Sequence, residues 1–138
     1  MRDNLTHAAE VSDAALELVN RDRLIRRWRW GSASFFWRAQ MDGRLVPRTC
    51  DGLLRYAWPD VFAFEGGPPR PGFEAAYRRD LLTVAEVAAL CSCSQAKILN
   101  EVKSGRLPVR RIGRTSRFVG AEVEHWQHRH WRRWTPGR

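Results

Sequence analysis

The chain has 138 residues, 43% of them hydrophobic and 28% charged, enough to bury the core of one ordinary domain or two very small ones and unlike a disordered composition. The formal net charge is +9 and lies mostly in the second half: 11 basic against 9 acidic residues up to position 72, then 13 against 6. No apolar run approaches membrane-spanning length, the start is not signal-like, and Cys50, Cys91 and Cys93 cannot build a disulfide framework, so a soluble cytoplasmic protein with reduced thiols is expected.

Residues 3–19 put Leu5, Ala8, Ala9, Val11, Ala15, Leu16 and Val19 on one side of a helix, with Asp3, Glu10, Asp13 and Glu17 on the other. This pattern predicts one amphipathic helix or two short ones, packing on the first domain or dimerising. Helical patterns follow at 21–30, ending at Gly31, and at 32–41, ending at Asp42-Gly43. Residues 45–50 and 53–57 flank Asp51-Gly52, the strongest hairpin signal in the chain. Residues 58–64 read as a short helix with Pro59 at its first position. Residues 66–72, Gly-Gly-Pro-Pro-Arg-Pro-Gly, predict a linker that divides a first domain, 1–65, from a second, 73–138.

In the second half, Thr83 and Glu86 have the spacing of a capping box, and Val84, Val87, Ala88 and Leu90 make an apolar stripe. Residues 91–93 form a turn and Ser94 can cap the next helix, 95–103. Ile98, Leu99 and Val102 are expected inward on it, leaving Gln95, Ala96, Lys97, Asn100 and Lys103 outward. Gly105 ends that helix. Segments 107–112 and 117–119 flank a turn at 113–116, and a last helix, 121–134, buries Val123 and Trp126 and is basic at its far end. Residues 103–117 carry six cations and no acid, in a hairpin that follows directly on a helix. Such a surface suits duplex DNA. Glutamine and asparagine match adenine edges, lysine matches guanine or phosphate, and hairpin arginines reach phosphates or a narrowed minor groove.

Leu81-Leu-Thr-Val-Ala-Glu-Val-Ala-Ala-Leu, Ser94 opening the next helix, the run 103–118 and Glu122-Val-Glu-His-Trp126 resemble, in that order, the excisionase/MerR-type winged helix-turn-helix family. The resemblance covers residues 81–126. It implies that the second helix enters the major groove through Gln95, Lys97, Asn100 and Lys103. Arg110, Arg111, Arg114, Thr115 and Arg117 would form a wing on the backbone or minor groove. Ser94-Gln95-Ala96 departs from the arginine-rich helix start of many relatives, so a base preference does not carry over.

An offset of 62 pairs Ser32 with Ser94, Gly43 with Gly105, Arg44-Leu45 with Arg106-Leu107, Arg48 with Arg110, Arg55 with Arg117, Tyr56 with Phe118 and Val61 with Val123. The fold expected is therefore mainly α with small β-hairpin wings, in two tandem winged helix-turn-helix domains. The first copy would meet DNA through Arg38, Gln40, Arg48 and Arg55, or a protein through Phe35 or Trp37. Arg23, Arg26, Arg27 and Arg29 would offer a phosphate-facing side.

Cys91-x-Cys93 with His125, His128 and His130 lacks the spacing of structural zinc sites, and no nucleophile–base pair, paired carboxylates or phosphate-cradling loop stands out. No metal, cofactor or catalysis is expected. The resemblance implies a sequence-specific binder of double-stranded DNA. It would be an excisionase-like recombination directionality factor or a transcriptional regulator of a mobile element, acting by binding and bending, and nucleoid-associated. An integrase or RNA polymerase is the candidate protein partner. The chain would act as a monomer with tandem domains or as a cooperative oligomer on DNA. The rival is a protein–protein adaptor whose first domain recruits integrase, polymerase or a packaging enzyme.

Overall fold

A computed structural model describes residues 16–137. The predicted amphipathic helix lies outside these residues up to position 15. At its far end Leu18–Val19 forms a strand, β1, rather than continuing a helix. It is followed by α1 (Arg21–Trp28), α2 (Ala33–Met41), β2 (Arg48–Cys50), β3 (Leu53–Ala57), α3 (Trp58–Glu65) and α4 (Glu74–Tyr77). Then come α5 (Val84–Leu90), α6 (Gln95–Lys103), β4 (Arg110–Ile112), β5 (Thr115–Arg117) and α7 (Gly120–His130). The described residues thus form seven helices, a three-stranded antiparallel sheet ordered β1-β3-β2, and the hairpin β4-β5.

Local chemistry accounts for the element ends. The Asn20 side chain accepts from Arg23 N, Ser32 from Phe35 N, Thr83 from Glu86 N and Ser94 from Lys97 N, so four helix starts carry side-chain caps. Both turn residues between β2 and β3, Asp51 and Gly52, have positive φ, 50° and 82°, as a two-residue type I′ hairpin requires. The second hairpin turns at Gly113-Arg114, with Gly113 at φ 62°; Thr115 and Ser116, expected in the turn, belong to β5. The last helix stops at His130 rather than near residue 134.

Elements in the two halves fall at matching positions. Ser32 and Ser94 cap α2 and α6, and these helices end at Met41 and Lys103. The first hairpin pairs Arg48↔Arg55, Thr49↔Leu54 and Cys50↔Leu53; the second pairs Arg110↔Arg117, Arg111↔Ser116 and Ile112↔Thr115. Each residue of the second set stands 62 positions after its counterpart. After α2, the Arg44 and Leu45 amides donate to Ala39 O; after α6, those of Arg106 and Leu107 donate to Glu101 O.

The two halves share a core. One apolar cluster holds Leu24, Trp28, Phe36, Tyr56 and Val61 of the first half together with Tyr77, Leu81, Ile112 and Val119 of the second. A smaller cluster, Val87, Ala88, Ile98, Leu107, Phe118, Val123 and Trp126, lies wholly in the second half. At the junction Glu65 is fully buried. It accepts from Arg27 Nε at 2.7 Å and Nη2 at 2.8 Å, from Trp28 Nε1, and from Arg110 Nε at 3.2 Å. The Leu81 amide adds a backbone bond to Arg27 O at 2.8 Å.

The 66–72 segment, expected to be a linker, is held to both halves. Gly67 donates to Phe62 O and accepts from Arg110 Nη2, while Arg70 pairs with buried Glu122 on α7. Helix α4, which the sequence pattern did not announce, brings the Tyr77 hydroxyl to donate to Glu122 at 2.6 Å. Burial first, then the bond to Glu122 and its charge, push the Tyr77 hydroxyl up to about 12.

Candidate nucleic-acid interface

Helix α5 opens on a reciprocal capping box: Thr83 Oγ1 accepts from Glu86 N at 3.1 Å, and Glu86 Oε1 accepts from Thr83 N at 2.9 Å. The bond from the Thr83 amide holds the Glu86 carboxyl below its ordinary range. Three residues then reverse the chain. Ser92 takes a left-handed φ of 49°, and the Cys93 amide returns to Ala88 O at 3.0 Å. Ser94 starts α6 at once. A turn this tight fixes α6 against α5 through Val87, Ala88 and Ile98, with Leu107, Phe118, Val123 and Trp126 beneath.

Glu101 is the internal anchor of α6. It is 4% exposed and accepts from Arg106 Nε at 2.9 Å and Trp126 Nε1 at 3.2 Å. The Arg106 hydrogen bond holds its carboxyl below the ordinary value despite burial. With Ile98 and Glu101 turned inward, Gln95, Lys97, Asn100 and Lys103 are all exposed, so the four helix positions expected to face DNA share an open surface. Leu99, expected inward, is instead 41% exposed.

The wing departs further from expectation. Arg110 is 6% exposed, and its guanidinium is spent on Glu65, Phe62 O at 3.0 Å and Gly67 O at 2.8 Å, over the Tyr77 ring. With Nε and Nη2 held by a buried carboxylate and two carbonyls, Arg110 points into the junction of the halves rather than onto the open face where it was expected. Arg117 is half-buried and donates to Trp28 O at 2.7 Å and Ser116 O at 2.9 Å; burial and the neighbouring Arg29 charge lower its pKa. Arg111 and Arg114 are exposed, Arg111 donating to Ser116 Oγ at 2.6 Å, and Thr115 is half-buried beside them. The wing thus lies along the first half and presents only its outer edge. At its tip Gly113 sits so close to Phe35 that an added Cβ would come within 3.4 Å of Cε1.

In the first half, Arg38 is exposed on α2, Arg48 is exposed but paired with Asp60 at 3.1 Å, and half-buried Arg55 donates to Leu54 O. Gln40 accepts from the Tyr56 hydroxyl and is engaged internally. Phe35 is buried at 9% exposure, whereas Trp37 stands 63% exposed. The arginines of α1 do not form one phosphate-facing side. Arg27 is buried against Glu65, and Arg23 bonds Asp80 at 2.6 Å and Arg78 O at 3.0 Å. Arg26 remains exposed, and Arg29 meets Glu86 at 3.2 Å.

One basic residue the motif reading passed over joins the wing. Arg44 lines a cavity of about 320 Å³ with Ala63, Phe64, Arg111 and Gly113, which places cations of both halves around one opening. Its pairing with Arg106 at the 62-residue offset was the available signal. Among the described residues no group of three or more His, Cys, Asp or Glu side chains gathers as a metal would require, and no helix is long and apolar enough to cross a membrane.

Residues 81–130 match the family described as Helix-turn-helix domain, a DNA-binding family. The match begins at Leu81 in the shared core and ends at His130, the last residue of α7. No curated protein and no solved structure matches the chain.

Proposed function

We propose that this chain is a non-enzymatic, sequence-specific binder of double-stranded DNA, with α6 entering the major groove and Arg111 and Arg114 on flanking phosphates. The observation that carries the reading is the outward face of α6. Lys97, Asn100 and Lys103 are exposed on a helix locked by a three-residue turn inside a segment that matches a helix-turn-helix family. Equal hairpin registers and helix caps at the 62-residue offset support a tandem origin, with α2 and β2-β3 as a divergent second unit. Rigid fusion through Glu65 would hold both units at one spacing on DNA, a fitting design for bending a site. An excisionase-like recombination factor or a regulator of a mobile element uses such a surface. The test is equilibrium binding of the full chain to duplex pools across a salt titration, followed by selection of a preferred site. Salt-sensitive binding with a reproducible motif supports the proposal, and absence of duplex binding at low salt ends it.

A second reading has its own observation. On α2, Trp37 and Met41 are 63% and 68% exposed, and Leu53 and Leu54 of the adjoining hairpin are 55% and 43% exposed. Apolar surface of this kind suits protein contact, in which the first half recruits an integrase, polymerase or packaging enzyme to DNA held by the second. Trp37→Ala separates the two: unchanged DNA affinity with lost recruitment favours the adaptor, and weakened DNA affinity favours a second DNA contact.

A further inference from the structure

The outward face of α6 is not wholly polar. With Ile98 and Glu101 buried and Val102 half-buried, helical geometry stacks Ala96, Leu99, Asn100 and Lys103 on the opposite side at i, i+3, i+4 and i+7. Leu99 occupies this stripe with 41% of its surface open and belongs to neither apolar cluster. The open part of the leucine therefore lies outside the chain's own core and is free to meet a partner. Its exposed neighbours on the helix are Gln95 at i−4 and Lys103 at i+4, with the Asn100 amide beside it. Ala96, one turn earlier, adds little bulk and lets the helix lie close to whatever it faces.

An apolar centre between hydrogen-bonding amides and a cation complements one surface in particular. The major groove has anionic rims and polar base edges, and its one apolar group is the thymine C5-methyl; the minor groove has no counterpart. Resting on the DNA-binding reading above, we infer that Leu99, seated beside Ala96, reads a thymine methyl, while Asn100 hydrogen-bonds a neighbouring base edge.

The experiment replaces each thymine of the site selected by the full chain, one at a time, with deoxyuridine. That change keeps base pairing and removes only the methyl. At one position the wild-type chain should lose about fourfold in affinity, the worth of one buried methyl-sized group. Leu99→Ala should bind the thymine site about as the wild type binds the uracil site, and be indifferent to the replacement. Leu99→Met, which keeps apolar reach, should retain the sensitivity and provides a second variant should the alanine chain fold poorly. Equal losses in wild type and Leu99→Ala, or no sensitive thymine, overturn the assignment while leaving DNA binding intact. A Leu99→Ala chain that binds both duplexes as tightly as the wild type also overturns it and leaves the leucine to a protein partner. Failure of the wild type to bind any duplex overturns the underlying reading and this one with it.

Discussion

The two hairpins share a register and differ in where their arginines go. Arg48 keeps 61% of its side chain exposed and pairs with Asp60 at the surface, whereas Arg110, at the matching position, is buried against Glu65. The helices before them differ as well. α6 shows Ala96, Leu99, Asn100 and Lys103 outward, and α2 shows Ser34, Trp37, Arg38 and Met41. A dense run of guanidinium groups therefore marks an interface without saying which one. Two members of that run, Arg106 and Arg110, serve acids of the same chain, Glu101 and Glu65, and only the outer edge is left for a phosphate.

The largest expected effect breaks that contrast at its centre. Glu65→Ala strands Arg27 and Arg110 in the core and should cost about 3–5 kcal/mol in urea unfolding, with both halves lost together. Asp60→Ala, which frees only surface Arg48, should cost less than about 1 kcal/mol. Similar losses for the two would mean that Glu65 is not what joins the halves. Next, Asn100→Ala should lower affinity for the selected site by about 1–3 kcal/mol and change preference at one base position, read by repeating the selection. Arg111→Ala and Arg114→Ala should each weaken binding to every sequence and reduce the salt slope by about 0.9. Arg110→Ala, compared at a temperature where it is folded, should leave the slope unchanged.

The smallest effect is in acid. The Glu101 carboxyl is held below its ordinary value of 4.5, chiefly by the Arg106 hydrogen bond. A depressed folded pKa contributes stability that is complete above the unfolded value and disappears as pH falls through the folded one. Arg106→Ala should therefore flatten the decline of stability below about pH 4.5, measured by denaturation at a series of pH values.

Much of the second half was readable locally, because the interactions that shape it are local. Thr83 with Glu86 and Ser94 with Lys97 each act within four residues of chain, as Asp51-Gly52 does in the first half. What escaped was set by distant partners. The burial of Arg110 depends on Glu65, 45 residues earlier, and nothing in the composition of 103–117 separates it from exposed Arg111. Leu18–Val19 becomes a strand because β3 offers an edge, overriding the helical period before it. Leu99 follows the apolar pattern of α6, yet Glu101, fixed by Arg106 and Trp126, takes the inward place beside Ile98. The 66–72 segment reads as a linker by composition and is fastened by carbonyls and by Arg70, which composition does not register.

The most direct measurement is the affinity of the full chain for a duplex pool as salt is raised, beside a Lys97→Ala, Asn100→Ala, Lys103→Ala triple variant. Binding that weakens steeply with salt in the wild type and is largely lost in the variant is the predicted result. Equal binding by both chains, or none by the wild type at low salt, would contradict the assignment of α6 as the DNA-reading helix.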